Sequence, residues 1–267
     1  MLYILLAALV AALVWFVLKQ PSNEGDWSAD QAVLPSVELL GSVAKVRNVR
    51  NFTYRSTTDF TPAYYDAEYD LDKLTRVYFV IEPFSGYKGA AHTFLSFEFE
   101  DGQFLAASVE IRKEKGESFK AIKGIFKQYE LMYVLADERD VLKLRSNYRN
   151  DEVYVYPIAT GKERVKETLL SIFRRVNKLH DEPEFYNTLT NNCATNLARH
   201  ANEVVPRRVP WNLTLLFPAE ADRYAFDLGL IDTKLADFAE VRRAHHINDL
   251  ALAYADDLEF SLRIRGR

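Results

Sequence analysis

The chain has 267 residues, 48% hydrophobic and 27% charged, enough to bury the core of one substantial domain with additions. This composition excludes a disordered chain, and a formal net charge of −4 leaves no electrostatic case for nucleic acid. The single cysteine, Cys193, permits no internal disulfide.

Residues 1–18, MLYILLAALVAALVWFVL, carry no charged side chain and place Trp15-Phe16 near the far end, as an interfacial belt would. Eighteen apolar residues are just enough to span a bilayer, so the segment is expected to be a transmembrane helix. No basic side chain precedes the run and no A-x-A-like site follows it, which favours an uncleaved anchor over a signal peptide. Residues 19–40 contain Pro21, Gly25 and Pro35 and read as a tether. The region 41–205 reads as the catalytic domain and 206–267 as a helical C-terminal extension.

Within that domain Thr75–Phe84, His92–Phe99 and Phe104–Arg112 are β-branched and aromatic runs bounded by Gly, Pro and Asp, the pattern of strands. Tyr129–Leu135 and Val153–Ile158 are further strand candidates, with Asp137–Arg149 helical between them. Thr160-Gly161-Lys162-Glu163 has the form of a capping box, followed by Val165, Leu169, Ile172, Phe173, Val176 and Leu179 at helical spacing. A helix from Cys193 to about Val204 is expected to end before Pro206. Two more helices are expected at Pro218–Leu228 and Leu235–His245. The fold class is α+β, an antiparallel sheet with packed helices.

Cys193 follows Asn191-Asn192 where a loop turns into a helix. A thiolate there faces unpaired backbone N–H groups and the positive end of the helix dipole, which lowers its pKa. The plain alternative is a buried small hydrophobe. Asn191 and Asn192 read as helix caps, with an oxyanion role as the lesser alternative.

Strand parity selects the partners. Leu95, Phe97 and Phe99 are the apolar odd positions of one strand, and Leu105, Ala107, Val109 and Ile111 those of the next. Matching these faces pairs even with even across Glu100-Asp101-Gly102-Gln103, with Gly102 left-handed. His92 then comes opposite or diagonal to Ser108 and Glu110, and Glu110 becomes the third member of a Cys-His-acid set. The alternative is a solvated face on which all three point at water. His200 reads as structural, and the adjacent His245-His246 diverge on a helix without a zinc pattern. Trp15, Trp27 and Trp211 read as packing or interface residues, and the loop SGYKGAAH before His92 as a turn. No metal or cofactor enters the reading.

The residues VRNVRNF (46–52), YDL (69–71), AHTFLSF (91–97), SVE (108–110), YELMY (129–133), ADERD (136–140) and Phe185 to Asn196 resemble the bacterial family named for the Lnb N-terminal periplasmic domain. More broadly the order of histidine strand, polar strand and Asn-Cys helix resembles the permuted papain-like hydrolases, among them NlpC-type peptidases and lecithin:retinol acyltransferase. The resemblance implies a papain-like core, Cys193 as nucleophile, His92 as base, and N-acylation of lipoproteins with an acyl chain from phospholipid. No large second half follows the domain, in contrast to the characterised members. The expectation is a cysteine acyl hydrolase or acyltransferase held in the bacterial inner membrane with its globular part in the periplasm. Its partners would be that membrane and a phospholipid or lipoprotein substrate. A cell-wall peptidase or amidase with the same thiol, and a non-catalytic envelope protein, are the alternatives.

Overall fold

The computed structural model describes residues 1–86, 88–205, 209–210 and 212–267. Trp211, Pro206 and Tyr87 of the loop before His92 lie outside the described residues. The strands are β1 (Ser36–Leu40), β2 (Val43–Arg50), β3 (Thr53–Tyr54), β4 (Phe60–Thr61), β5 (Tyr64–Asp70), β6 (Leu74–Pro83), β7 (Ala91–Phe99), β8 (Phe104–Arg112), β9 (Glu130–Ala136) and β10 (Tyr154–Pro157). The helices are α1 (Leu2–Leu18), α2 (Ala121–Ile125), α3 (Glu138–Lys143), α4 (Lys162–Asp181), α5 (Cys193–Val204), α6 (Ala221–Asp227), α7 (Phe238–Ala244), α8 (Asn248–Ala253) and α9 (Phe260–Arg263).

Eight strands form one sheet in the order β1-β2-β9-β8-β7-β6-β10, with β5 paired to β2. The sheet is mixed rather than wholly antiparallel as expected, because β2 meets β9 in parallel at Arg50↔Ala136. The β7–β8 ladder pairs even with even, from Glu98↔Phe104 to Phe94↔Ser108. Gly102 takes φ of 82° in the connecting loop, where the Phe99 N–H donates to the Gln103 carbonyl. This is the register that matching the apolar faces requires, since a slip of one residue would turn every side chain over.

Both faces are covered. On the odd face Phe97, Leu105, Ala107 and Val109 join Val165, Leu169, Ile172 and Phe173 of α4 in one core. On the even face Phe94, Ala106, Met132 and Val134 pack with Ile247, Ala251, Phe260 and Ile264. The C-terminal segment is thus the second layer over the sheet. The even face is consequently dry: Ser96, Glu98 and Ser108 are buried, against the solvated alternative. Burial of these groups requires partners. The Tyr78 hydroxyl donates to Glu98, which also receives Arg267 at 2.8 Å, and Ser96 donates to Glu138, which is ion-paired with Arg265.

Arg50 and Asp140 lock the parallel junction. Arg50 Nε and Nη2 donate to the two Asp140 oxygens at 3.0 and 2.9 Å, and Asp140 also accepts from the Phe52 N–H and the Tyr54 hydroxyl. Arg50 is fully charged, because the attraction of Asp140 outweighs the cost of burial.

Two expectations fail locally. Helix α4 begins at Lys162 with Gly161 as its N-cap and no side-chain cap, so Thr160 does not form a capping box; the Thr160 N–H instead turns back to the Ile158 carbonyl. The segment read as a tether is packed: Trp27 is buried under Arg112, 4.4 Å from its ring, and the Asn23 side chain donates to the last carbonyls of α4.

Helix α1 is 17 residues, about 25 Å at the α-helical rise, against about 30 Å of hydrocarbon. Among the described residues no helix is long and apolar enough to cross a membrane, so the span expected over residues 1–18 is unsupported.

Asp140→Ala should cost about 3–5 kcal/mol in denaturant unfolding, because it strands the buried Arg50 charge. Replacing both partners with Leu should cost much less; equal losses would show that the pairing does not set the effect.

Candidate functional site

The loop before α5 is built to hold Cys193 at a fixed place. Asn192 is the N-cap: its side chain accepts from the Thr195 N–H at 2.8 Å while the Thr195 hydroxyl accepts from the Asn192 N–H at 2.8 Å. The cap uses Asn192 and Thr195 and leaves the N–H groups of Cys193 and Ala194 in the first turn outside it. Asn191 Nδ2 donates to the Phe185 carbonyl at 2.9 Å and its oxygen accepts from Asn196 Nδ2, so it braces the loop. Both asparagines therefore serve the helix start.

His200 fixes the far end of α5. It is buried, with Nδ1 at 2.7 Å from the Ser171 hydroxyl on α4 and Nε2 at 2.7 Å from the Tyr133 hydroxyl on β9. Burial lowers its pKa to about 4, so it is a neutral structural tie. His245 bonds the Val241 carbonyl and His246 pairs with Glu152, both within the C-terminal layer.

His92 lies on β7 beyond the last β7–β8 pair, Phe94↔Ser108, where the two strands are no longer laddered. Its Nε2 is 2.7 Å from Ser108 Oγ and 3.1 Å from Glu110 Oε1, and Ser108 Oγ donates to the same oxygen at 2.7 Å. Because Ser108 spends its proton on Glu110, it accepts from Nε2–H. That leaves Nδ1 as the ring nitrogen available to the thiol. The two candidates for the third position thus act together, Glu110 as the charge and Ser108 as the bridge.

Parity groups His92, Ser108 and Glu110 but says nothing of which face the thiol comes from. Cys193 belongs to the odd-face core with Phe97, Leu105 and Val109. It meets the imidazole at the strand end, flanked by Thr93, whose buried hydroxyl has no oxygen or nitrogen partner among the described residues.

Electrostatics move the two groups in opposite directions, the thiol down and the imidazole up. Burial alone would raise the Cys193 thiol, but hydrogen bonding to His92, the charge of His92 and contacts with Thr93 bring it below its ordinary value. Burial opposes the imidazolium, yet the attraction of Glu110 and the hydrogen bond with Cys193 raise His92 to about 9. Glu110 is half-buried and held well below the usual carboxylate range by the charge and hydrogen bond of His92, with Arg145 assisting.

Arg145, Glu82 and Thr93 are residues the sequence reading missed. Arg145 Nη2 lies 3.0 Å from Glu110 and its Nε 2.7 Å from Glu82, which faces His92 across the β6–β7 ladder. Arg145 sits on the π-helical turn Leu144–Arg149 after α3, with its guanidinium 4.9 Å from the Phe94 ring centre. No spacing rule connects these positions. Beside α5 lies a pocket of about 430 Å3 lined by Thr190, Thr195, Arg199, Asn202, Glu203, Val209 and Leu215 among others.

Residues 60–219, more than half of the chain, match one protein family, described as the Lnb N-terminal periplasmic domain. Among curated proteins and among solved structures, nothing matches.

The imidazole of His92 should titrate near pH 9 by NMR. Glu110→Gln should bring it down by at least one unit, because the attraction is lost while burial remains; Ser108→Ala should move it less. An unchanged value in Glu110→Gln would remove Glu110 from the site. Stability from this histidine should be fully present below the unfolded value of about 6.5 and be lost as pH rises through about 9.

Proposed function

The chain belongs to the Lnb N-terminal periplasmic domain family, and from that premise we propose that it is a cysteine-dependent acyl-transfer enzyme of the bacterial envelope. The observation that carries this reading is the Cys193 thiol at the first turn of α5, depressed in pKa by an imidazole that Ser108 and Glu110 hold from behind. In this reading Cys193, on a helix start, serves as nucleophile and His92, on a strand, as base, as a papain-like hydrolase would use them.

In the proposed reaction the Cys193 thiolate attacks the carbonyl carbon of an acyl ester, with phospholipid as donor. The free N–H groups of the first turn of α5 receive the developing oxyanion. The tetrahedral adduct collapses to a thioester, and the departing alkoxide takes the proton from His92. The amino group of a lipoprotein, or water, then attacks the thioester and gives its proton back to His92, which returns the thiolate–imidazolium pair. Glu110 keeps its charge throughout, and no cofactor or metal is required by this sequence of steps. The apolar α1 tethers the domain to the inner membrane in this proposal. A cell-wall peptidase or amidase is the second reading, since the same thiol and imidazole would serve to cleave an amide.

Intact-mass analysis after incubation with phospholipid should show one acyl chain added to the protein, absent in Cys193→Ala. His92→Ala should slow acylation about 10²–10⁴-fold. Acylation by a peptide ester but not by phospholipid would select the peptidase reading, and no Cys193 adduct with either would overturn thiol catalysis.

A further inference from the structure

The segment Phe119-Lys120-Ala121-Ile122-Lys123-Gly124-Ile125-Phe126-Lys127 interleaves apolar and basic side chains around α2. Its large apolar members are not in the core: Phe119 is 46% exposed, Ile122 67% and Phe126 60%. Three such residues within eight positions form a patch that a lone soluble surface does not need. Of the five lysines from Lys113 to Lys127, Lys113 and Lys115 pair with Asp30 and Asp26, while Lys120 and Lys123 have no ion-pair partner among the described residues.

The patch is continuous with α1. The Phe16 ring packs edge-on against Phe126 at 6.2 Å, and Lys127 Nζ donates to the Phe16 and Lys19 carbonyls at 3.1 and 3.3 Å. Leu13, Val14, Trp15, Val17 and Leu18 of α1 are exposed beside this junction. The apolar helix therefore leaves the body of the protein at the patch itself. The same patch reaches the nucleophile's cap. The Thr188 hydroxyl donates to the Ala121 carbonyl at 2.6 Å, while Asn192 Nδ2 donates to the Thr188 carbonyl at 2.7 Å. Gly124 has no room for a side chain, since a Cβ there would stand 2.4 Å from Thr188 Oγ1. Phe119 meets Tyr186, which shares its core with Cys193, at 6.2 Å between ring centres.

We propose that Phe119, Ile122 and Phe126, with Lys120 and Lys123 around them, form a docking face for an anionic phospholipid surface. The aromatic and aliphatic side chains enter the headgroup region and the ammonium groups meet lipid phosphates, as in interfacial amphipathic segments. Docked this way, the loop that carries the Asn192 cap rests at the bilayer surface rather than facing the aqueous space. The inference concerns placement of the chain and stands independently of whether Cys193 transfers an acyl group.

The test uses the full chain in phosphatidylethanolamine/phosphatidylglycerol vesicles with brominated acyl chains, read by tryptophan fluorescence. Ile122→Trp should add a blue-shifted component that bromine quenches beyond the wild-type background. Leu252→Trp, on the exposed side of α8, should add only an unquenched one. Lys120→Gln/Lys123→Gln in the Ile122→Trp background should abolish the dependence on phosphatidylglycerol, each lysine contributing about fivefold. Circular dichroism confirms that each variant is folded before it is scored. Equal quenching of the two introduced tryptophans, or none at either, would overturn the proposal. A blue shift that depends on protein concentration without vesicles would assign the face to a second copy of the chain and overturn it equally.

Discussion

Closing both faces of one sheet forces charge into the interior, and the architecture is organised around neutralising it. Glu82, Glu98, Glu138 and Asp140 are all buried, and each is met by an arginine from another part of the chain: Arg145 and Arg149, Arg267, Arg265, and Arg50. A buried carboxylate without its partner costs several kcal/mol, so the last residues of the chain are as necessary to the sheet as its own strands.

The candidate site uses the same device with one substitution. Glu110 pairs with Arg145 as its neighbours pair with arginines, but it also faces His92, whose charge is conditional. A carboxylate that keeps its charge favours the imidazolium, and the imidazole in turn lowers the Cys193 thiol. Arg145 limits this effect, since its charge opposes that of His92 while it stabilises Glu110. The result is a pair of groups moved toward each other in pKa across a buried gap, which is the condition for nucleophilic chemistry near neutral pH.

Much of this was legible in the sequence. Alternating apolar positions gave the β7–β8 register and so placed His92, Ser108 and Glu110 together, and the Asn-Cys turn gave the start of α5. Local signals failed where distant chain decides the outcome. The even face looked solvated because the residues that cover it, Ile247 to Ile264, carry no pattern announcing their target. The parallel contact of β2 with β9 depends on Arg50 and Asp140, ninety positions apart. Arg145 lies on a π-helical turn, which shifts its side chain off the register that a regular helix would predict. At the N-terminus, hydropathy marked an apolar helix correctly, while its length and its docking on Phe126 were properties of the folded chain.

The central claim is that His92, and not helix position alone, makes Cys193 a thiolate. Because Cys193 is the single cysteine, its alkylation rate can be followed against pH in the intact protein without ambiguity. The account predicts a midpoint below the ordinary thiol value of about 8.5 in the native chain. In His92→Ala the midpoint should rise clearly, since burial is then opposed only by the contacts with Thr93. The same midpoint in both proteins would contradict it.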